Sequence, residues 1–163
     1  MYKPCYLRTS SEVYSLQKMN KYIHLTNNCF QMHSKNYESH ETGNQLPYEA
    51  FLDYLDARYA QKYPDLNRDH IMQRIKDLMI DCHASAVTFL DPRRRPGNKF
   101  EIVGFDFIID EDLRVWLLEV NTGPFQGPVL TGNHPNFMLD MLNDVFKLTL
   151  DGFYFQNSSI PPE

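Results

Sequence analysis

The chain has 163 residues, 42% hydrophobic and 13% aromatic, enough apolar surface to offset ordering entropy over one domain and to exclude a disordered segment. A formal net charge of −5 argues against the broad basic face of a nucleic-acid binder, no run of about 18 apolar residues offers a membrane span, and Met1–Cys5 opens no apolar secretory stretch. Cys5, Cys29 and Cys82 are an odd set without CxxC spacing, which suits reduced thiols and a cytoplasmic setting.

Residues 1–9 read as a short strand ending near Arg8, and residues 10–20 as polar turn. Ile23-His24-Leu25-Thr26-Asn27 carries β-branched residues and reads as a strand end or an ordered loop. His24 suits a core or hydrogen-bonded role better than a ligand role, and His33, His40, His70, His83 and His134 lack zinc spacing. The polar stretch 31–46, with Gly43, is expected to be a long surface loop.

Two helices follow. Pro47 stands where a first helical turn tolerates it, and Phe51, Leu52, Leu55 and Tyr59 recur at helical spacing up to Pro64. The second starts at the N-cap Asn67, carries Asp69 in its first turn, and gathers Ile71, Ile75, Leu78, Met79, Cys82 and Ala86 on one face before Pro92 ends it. The run Pro92-Arg-Arg-Arg-Pro96 is either a solvated connection or a patch for an acidic peptide.

Phe100 to Asn121 predicts a β-hairpin around the acidic turn Asp110-Glu-Asp112. If it closes through residues 111–114, Asp106 lies opposite Glu119 and Asn121 beside Gly104, all on one face. Val103, Phe105 and Phe107 with Trp116, Leu118 and Val120 are then expected on the other face as a core. Two readings of the acid pair stay open: both acids face solvent, or a hard divalent cation such as Mg²⁺ neutralises them through carboxylate and amide oxygens. A Gly/Pro-rich loop from Thr122 to Pro135 leads to a last helix with Phe137, Leu139, Leu142, Val145 and Phe146. The predicted organisation is one partial domain over residues 1–152 and a loose tail over 153–163.

Phe105-Asp106-Phe107 followed by Trp116-Leu-Leu-Glu-Val-Asn121 resembles the metal-binding hairpin of tubulin-tyrosine-ligase-like proteins, a branch of the ATP-grasp superfamily. Tyr6-Leu-Arg-Thr-Ser-Ser-Glu12, and His24-Leu-Thr-Asn27 with Ser34-Lys-Asn-Tyr37, match in the same order. The Leu-Arg-Thr-Ser-Ser-Glu and Ser-Lys-Asn-Tyr segments are more similar to tyrosine ligase than to the glutamylase or glycylase branches. The resemblance implies an α+β fold, the carboxyl-terminal part of an ATP-grasp domain, with a mainly antiparallel sheet and packed helices.

It also implies roles. Asp106, Glu119 and Asn121 would hold Mg²⁺ against ATP, Arg8 would meet the γ-phosphate or an acyl-phosphate, and Thr26 and Asn27 would approach the nucleotide. The implied reaction joins an amino acid, tyrosine by those segments, to a peptide carboxylate such as the tubulin tail, with a cytoskeletal or ciliary association. Two departures from the family are expected to matter. The earlier ATP-grasp lysines and hinge are not in this sequence, so upstream residues or a partner would complete the pocket. Thr122-Gly-Pro-Phe-Gln-Gly-Pro128 differs from the small-residue loop of the ligases, which bears on amino-acid choice. The competing expectations are a catalytically inactive domain that binds tubulin or another protein, and an ATP-grasp ligase for a different carboxylate.

Overall fold

The computed structural model describes residues 1–2, 4–59, 62–63, 68–90, 93, 97, 99–124, 136–151 and 153. Asn67, Pro64, Pro92, most of the basic run, the loop beyond Pro124 and the tail beyond Phe153 lie outside the described residues. The chain divides into two compact units, one formed by Tyr2–Asp65 with Gly127–Met141, the other by Met1, Leu66–Gln126 and Leu142–Glu163. Among the described residues helices mix with two small antiparallel sheets, so the α+β expectation holds.

In the first unit, strand β1 (Tyr6–Arg8) ends at Arg8 as expected. Of the stretch read as a strand end or an ordered loop, Ile23 and His24 instead close a single turn of helix, α1 (Lys21–His24), while residues 25–27 connect it to the next helix as irregular chain. Asn20 overrides the β-branched composition there: its Oδ1 accepts from Tyr22 N at 3.0 Å and caps the turn. Asn27 then begins a second short helix, α2 (Asn28–Gln31), its carbonyl accepting from Phe30 N at 2.9 Å and Gln31 N at 3.1 Å.

The expected surface loop 31–46 is only partly a loop. A 3₁₀ turn (Thr42–Asn44) leads into strand β2 (Gln45–Pro47), and Gln31, Ser34, Gly43 and Asn44 are buried. Strand β2 pairs antiparallel with β1, Tyr6 opposite Pro47 and Arg8 opposite Gln45. Pro47 therefore closes an edge strand, where its missing N–H is tolerated, and helix α3 (Tyr48–Tyr59) starts one residue later. Tyr48, Leu52 and Leu55 bury one stripe of α3 at helical spacing.

The second unit contains helix α4 (Arg68–Leu90) and the hairpin of β3 (Val103–Ile109) and β4 (Val115–Thr122). On α4 only Ile71 of the predicted stripe is fully buried; Ile75, Leu78, Met79, Cys82 and Ala86 are half-buried. His83 on α4 packs its ring 5.6 Å from that of Phe105, which stacks on Phe107 at 6.1 Å. Helix α5 (Phe137–Phe146) is shared between the units; Phe137, in the first unit, meets Tyr2 and Tyr6 of that same unit edge-on. No helix among the described residues is long and apolar enough to cross a membrane.

Candidate functional site

The hairpin pairs Asp106 with Glu119, Gly104 with Asn121 and Phe105 with Val120, the register expected from the sequence. Beyond Asp106 the ladder slips by one: Phe107 faces Leu117, Ile108 faces Trp116 and Ile109 faces Val115. Leu118 is the extra residue of a β-bulge on β4. Because opposite residues share a face, the bulge puts Trp116 and Ile108 on the side of the acids and moves Val115 and Leu117 to the packed side. Exposure agrees, with Val115 buried and Trp116, Ile108 and Leu118 exposed. Of the expected core of Trp116, Leu118 and Val120, only Val120 keeps its predicted face, opposite Phe105, and it is itself 39% exposed; a strict two-residue period fails across one bulge.

Directly opposed side chains have Cβ atoms about 4.5–5.5 Å apart, and like charges so placed repel. Asp106 is half-buried, Glu119 and Asn121 are exposed, and Asn121 Nδ2 donates to Glu119 Oε1 at 3.2 Å. Two carboxylates and an amide on one face form a hard-oxygen donor set. No cluster of three or more His, Cys, Asp or Glu side chains suited to a metal exists among the described residues. A set that small fits Mg²⁺, which keeps several waters and takes phosphate oxygens alongside one or two carboxylates. Gly104 has no space for a side chain: a Cβ there would lie 2.9 Å from Pro124 Cβ and 3.9 Å from Asn121 Cβ.

The turn is fixed by its own acid. Asp110 Oδ1 accepts from Asp112 N at 3.0 Å and Arg114 N at 2.9 Å, and Oδ2 accepts from Trp116 Nε1 at 2.9 Å. The indole hydrogen bond, then the backbone bond from Arg114, hold the Asp110 carboxyl below its ordinary range. These bonds also accommodate Leu113 at φ 61°.

The other predicted site residues belong to the first unit. Arg8 is exposed at the end of β1; Thr26 is half-buried; Asn27 is exposed and makes no capping bond with its side chain. His24 is exposed rather than core, with Nε2 2.9 Å from the Lys18 carbonyl oxygen. What joins these segments is a pair of residues that motif reading missed, Gln31 and Asn44, 0% and 4% exposed. Gln31 Oε1 accepts from Ser11 N at 2.8 Å, and its Nε2 donates to Tyr22 O and Leu25 O. Asn44 Nδ2 donates to Ser11 Oγ at 2.9 Å, Thr9 O at 3.2 Å and Gln31 Oε1 at 3.5 Å, and Asn44 Oδ1 accepts from Glu38 N at 2.9 Å. Two further bonds bring in the Ser34–Tyr37 segment: Tyr37 Oη donates to Asn28 Oδ1 at 2.7 Å, and Asn36 Nδ2 donates to Glu12 Oε1 at 2.9 Å. Asn following Gly in a polar stretch was the available signal, since Asn accepts left-handed φ readily; Asn44 has φ 50°.

An acid pair with an amide on one hairpin face, in a chain whose other unit joins the Tyr6–Glu12, His24–Asn27 and Ser34–Tyr37 segments, defines the class within which comparison with known proteins is informative. The model of the Tubulin-tyrosine ligase family matches residues 1–159, and the chain belongs to that family. It is 32% identical to Tubulin glycylase 3A of Drosophila melanogaster over 153 residues, 92% of this chain and 15% of that protein. It is 29% identical to Tubulin monoglycylase TTLL3 of Danio rerio over 153 residues (92% and 19%) and 30% identical to Tubulin monoglutamylase TTLL4 of Mus musculus over 154 (85% and 12%). The chain thus spans less than a fifth of the length of each of these relatives.

Proposed function

We propose that this chain is the carboxyl-terminal part of an ATP-grasp domain whose activity is ATP- and Mg²⁺-dependent ligation of an amino acid to a carboxylate of tubulin. The observation that carries the reading is the Asp106–Glu119 pair with Asn121 on one face of the hairpin, in a member of this family. The glycylases and the monoglutamylase among its relatives support glycine or glutamate as the added amino acid and give no support to tyrosine.

In this reading Asp106, Glu119 and Asn121 hold Mg²⁺, which when bound supplies charge neutralisation for phosphate oxygens. Arg8 offers a guanidinium fork to the γ-phosphate or acyl-phosphate oxygens. Thr26 and Asn27 orient the nucleotide by hydrogen bonding. The acceptor carboxylate is activated by phosphorylation from ATP, and the incoming amine displaces phosphate to give the amide. Positioning and charge stabilisation are the main demands of such a transfer, and no side-chain nucleophile is called for. A cytoplasmic location with microtubule or ciliary association goes with this function.

The test is incorporation of labelled glycine, glutamate or tyrosine into tubulin by protein containing this chain, with and without ATP and Mg²⁺. ATP-dependent incorporation of glycine or glutamate is expected. Glu119→Gln should lower it about 10²–10³-fold with the circular dichroism unchanged. A fully active Glu119→Gln protein would sink the reading, and tubulin binding indifferent to ATP and to Asp106→Ala/Glu119→Ala would replace it with a non-catalytic binding module.

A further inference from the structure

Gln31 and Asn44 use more hydrogen-bonding capacity than local folding of a short helix and a 3₁₀ turn requires. A buried amide is costly unless its donors and acceptors are met, and an apolar residue would fill the same space without that constraint. Asn44 moreover holds a left-handed backbone conformation at φ 50°, one that glycine adopts at no steric cost. The side chain therefore supplies bonds that the backbone shape alone does not require.

Those bonds converge on two places. Thr9 is gripped from both sides: its N–H donates to Asn44 O at 2.9 Å, and its carbonyl accepts from Asn44 Nδ2. Thr9 directly follows Arg8. Gln31 grips Ser11 N with its oxygen and the Leu25 carbonyl with its nitrogen. Leu25 directly precedes Thr26 and Asn27. The pair is linked within itself by Asn44 Nδ2 to Gln31 Oε1. A single polar latch thus fixes the main chain next to Arg8 against the main chain next to Thr26–Asn27.

We infer that Gln31 and Asn44 are positioning residues that set the spacing between the Arg8 guanidinium and the Thr26–Asn27 pair, so that one polyphosphate or acyl-phosphate ligand can meet both. This rests on the proposed ligase function for the identity of the ligand, while the latch itself rests on geometry. Misplacement of a positioned group by about 1 Å can cost on the order of 10²-fold in rate.

Two variants separate positioning from folding. Gln31→Met keeps the volume and removes the amide; Asn44→Gly keeps the φ and removes the side chain. In the full-length protein, both are expected to accelerate hydrogen exchange at the amides of Thr9 and Ser11 while the α3 amides stay protected. Both should lower kcat/KM for ATP in tubulin ligation at least tenfold per mole of folded protein. Asn44→Gln, with the same amide on a longer stem, should not restore it. Unchanged exchange at Thr9 and Ser11 overturns the latch. Faster exchange with wild-type kcat and KM overturns the positioning role and leaves a structural one. If the wild-type protein ligates nothing and binds no MgATP, the ligase reading fails, and the exchange measurement still decides whether the latch exists.

Discussion

Replacing Gly104 by alanine tests whether the hairpin face is as tightly built as its geometry implies. The new methyl would lie 2.9 Å from Pro124 Cβ, against about 3.5–4.0 Å for an unstrained carbon pair, an overlap of roughly 0.6–1 Å. The Pro124 ring cannot rotate away, and Gly123 before it already sits at φ 65°, so relief requires the main chain after Asn121 to move. Overpacking of this kind costs about 1–3 kcal/mol. Alanine recovers about 0.4–1 kcal/mol by restricting the unfolded chain. The net expectation is a destabilisation between about 0 and 2.6 kcal/mol, read as a lower urea midpoint at unchanged m-value. In a Pro124→Gly background, which removes the opposing Cβ, the same substitution should be neutral or stabilising. Equal losses in both backgrounds would refute the steric argument. Since Asn121 is the cross-strand partner of Gly104, the single variant should also weaken Mg²⁺-dependent stabilisation if the hairpin holds the ion.

Three further outcomes are expected. Asp110 has a folded pKa below its ordinary 3.8, so its contribution to the turn is full above about pH 4 and is lost as pH falls through the depressed value; fluorescence of Trp116, the sole tryptophan, should report that loss in wild type and not in Asp110→Asn. The Cys5 thiol is pushed up to about 11 by burial and then by the charge of Glu49, whereas Cys29 is exposed; maleimide at neutral pH should therefore modify Cys29 first, with Cys5 protected until the protein unfolds. For Cys5 the raised pKa adds stability below about pH 9 that disappears as pH rises towards about 11. Tyr37→Phe deletes the bond to Asn28 and should cost about 0.5–1.5 kcal/mol in equilibrium unfolding; no measurable change would mean that the bond exchanges evenly with water.

How legible all this was in the sequence depends on the range of the physics involved. The acid pair could be read because strand parity and a short turn fix which residues face one another, and Asp106 does face Glu119. The inner half of the hairpin followed that parity; the outer half did not, since no local feature of Leu117-Leu118 announces an inserted residue. Helices α3 and α4 were visible from their apolar spacing. The helical turn at Ile23–His24 was missed because the cap formed by Asn20 outweighs the strand preference of Ile23, whereas residues 25–27 are the ordered loop that the same stretch allowed. Gln31 and Asn44 escaped for a different reason. Polar residues in a Gly-containing stretch ordinarily face water, and their burial follows only once residues 9–11, 22–25 and 38–44 are brought together. The family membership was accessible from three short motifs in order, while tyrosine, read from two of them, finds no support among the glycylases and the glutamylase that the chain resembles.

The inserted residue at Leu118 also separates two kinds of damage to the hairpin. Deleting it would leave Glu119 opposite Asp106 and Leu117 opposite Phe107, a regular ladder in which every other side chain of β4 keeps its present face. Losing the bulge at constant length, with Leu118 taking the place opposite Phe107, would instead turn Trp116 into the layer that Val115 now occupies and bring Val115 to water. The bulge thus acts as a register key, and shortening the strand by one codon disturbs the hairpin less than sliding it by one residue.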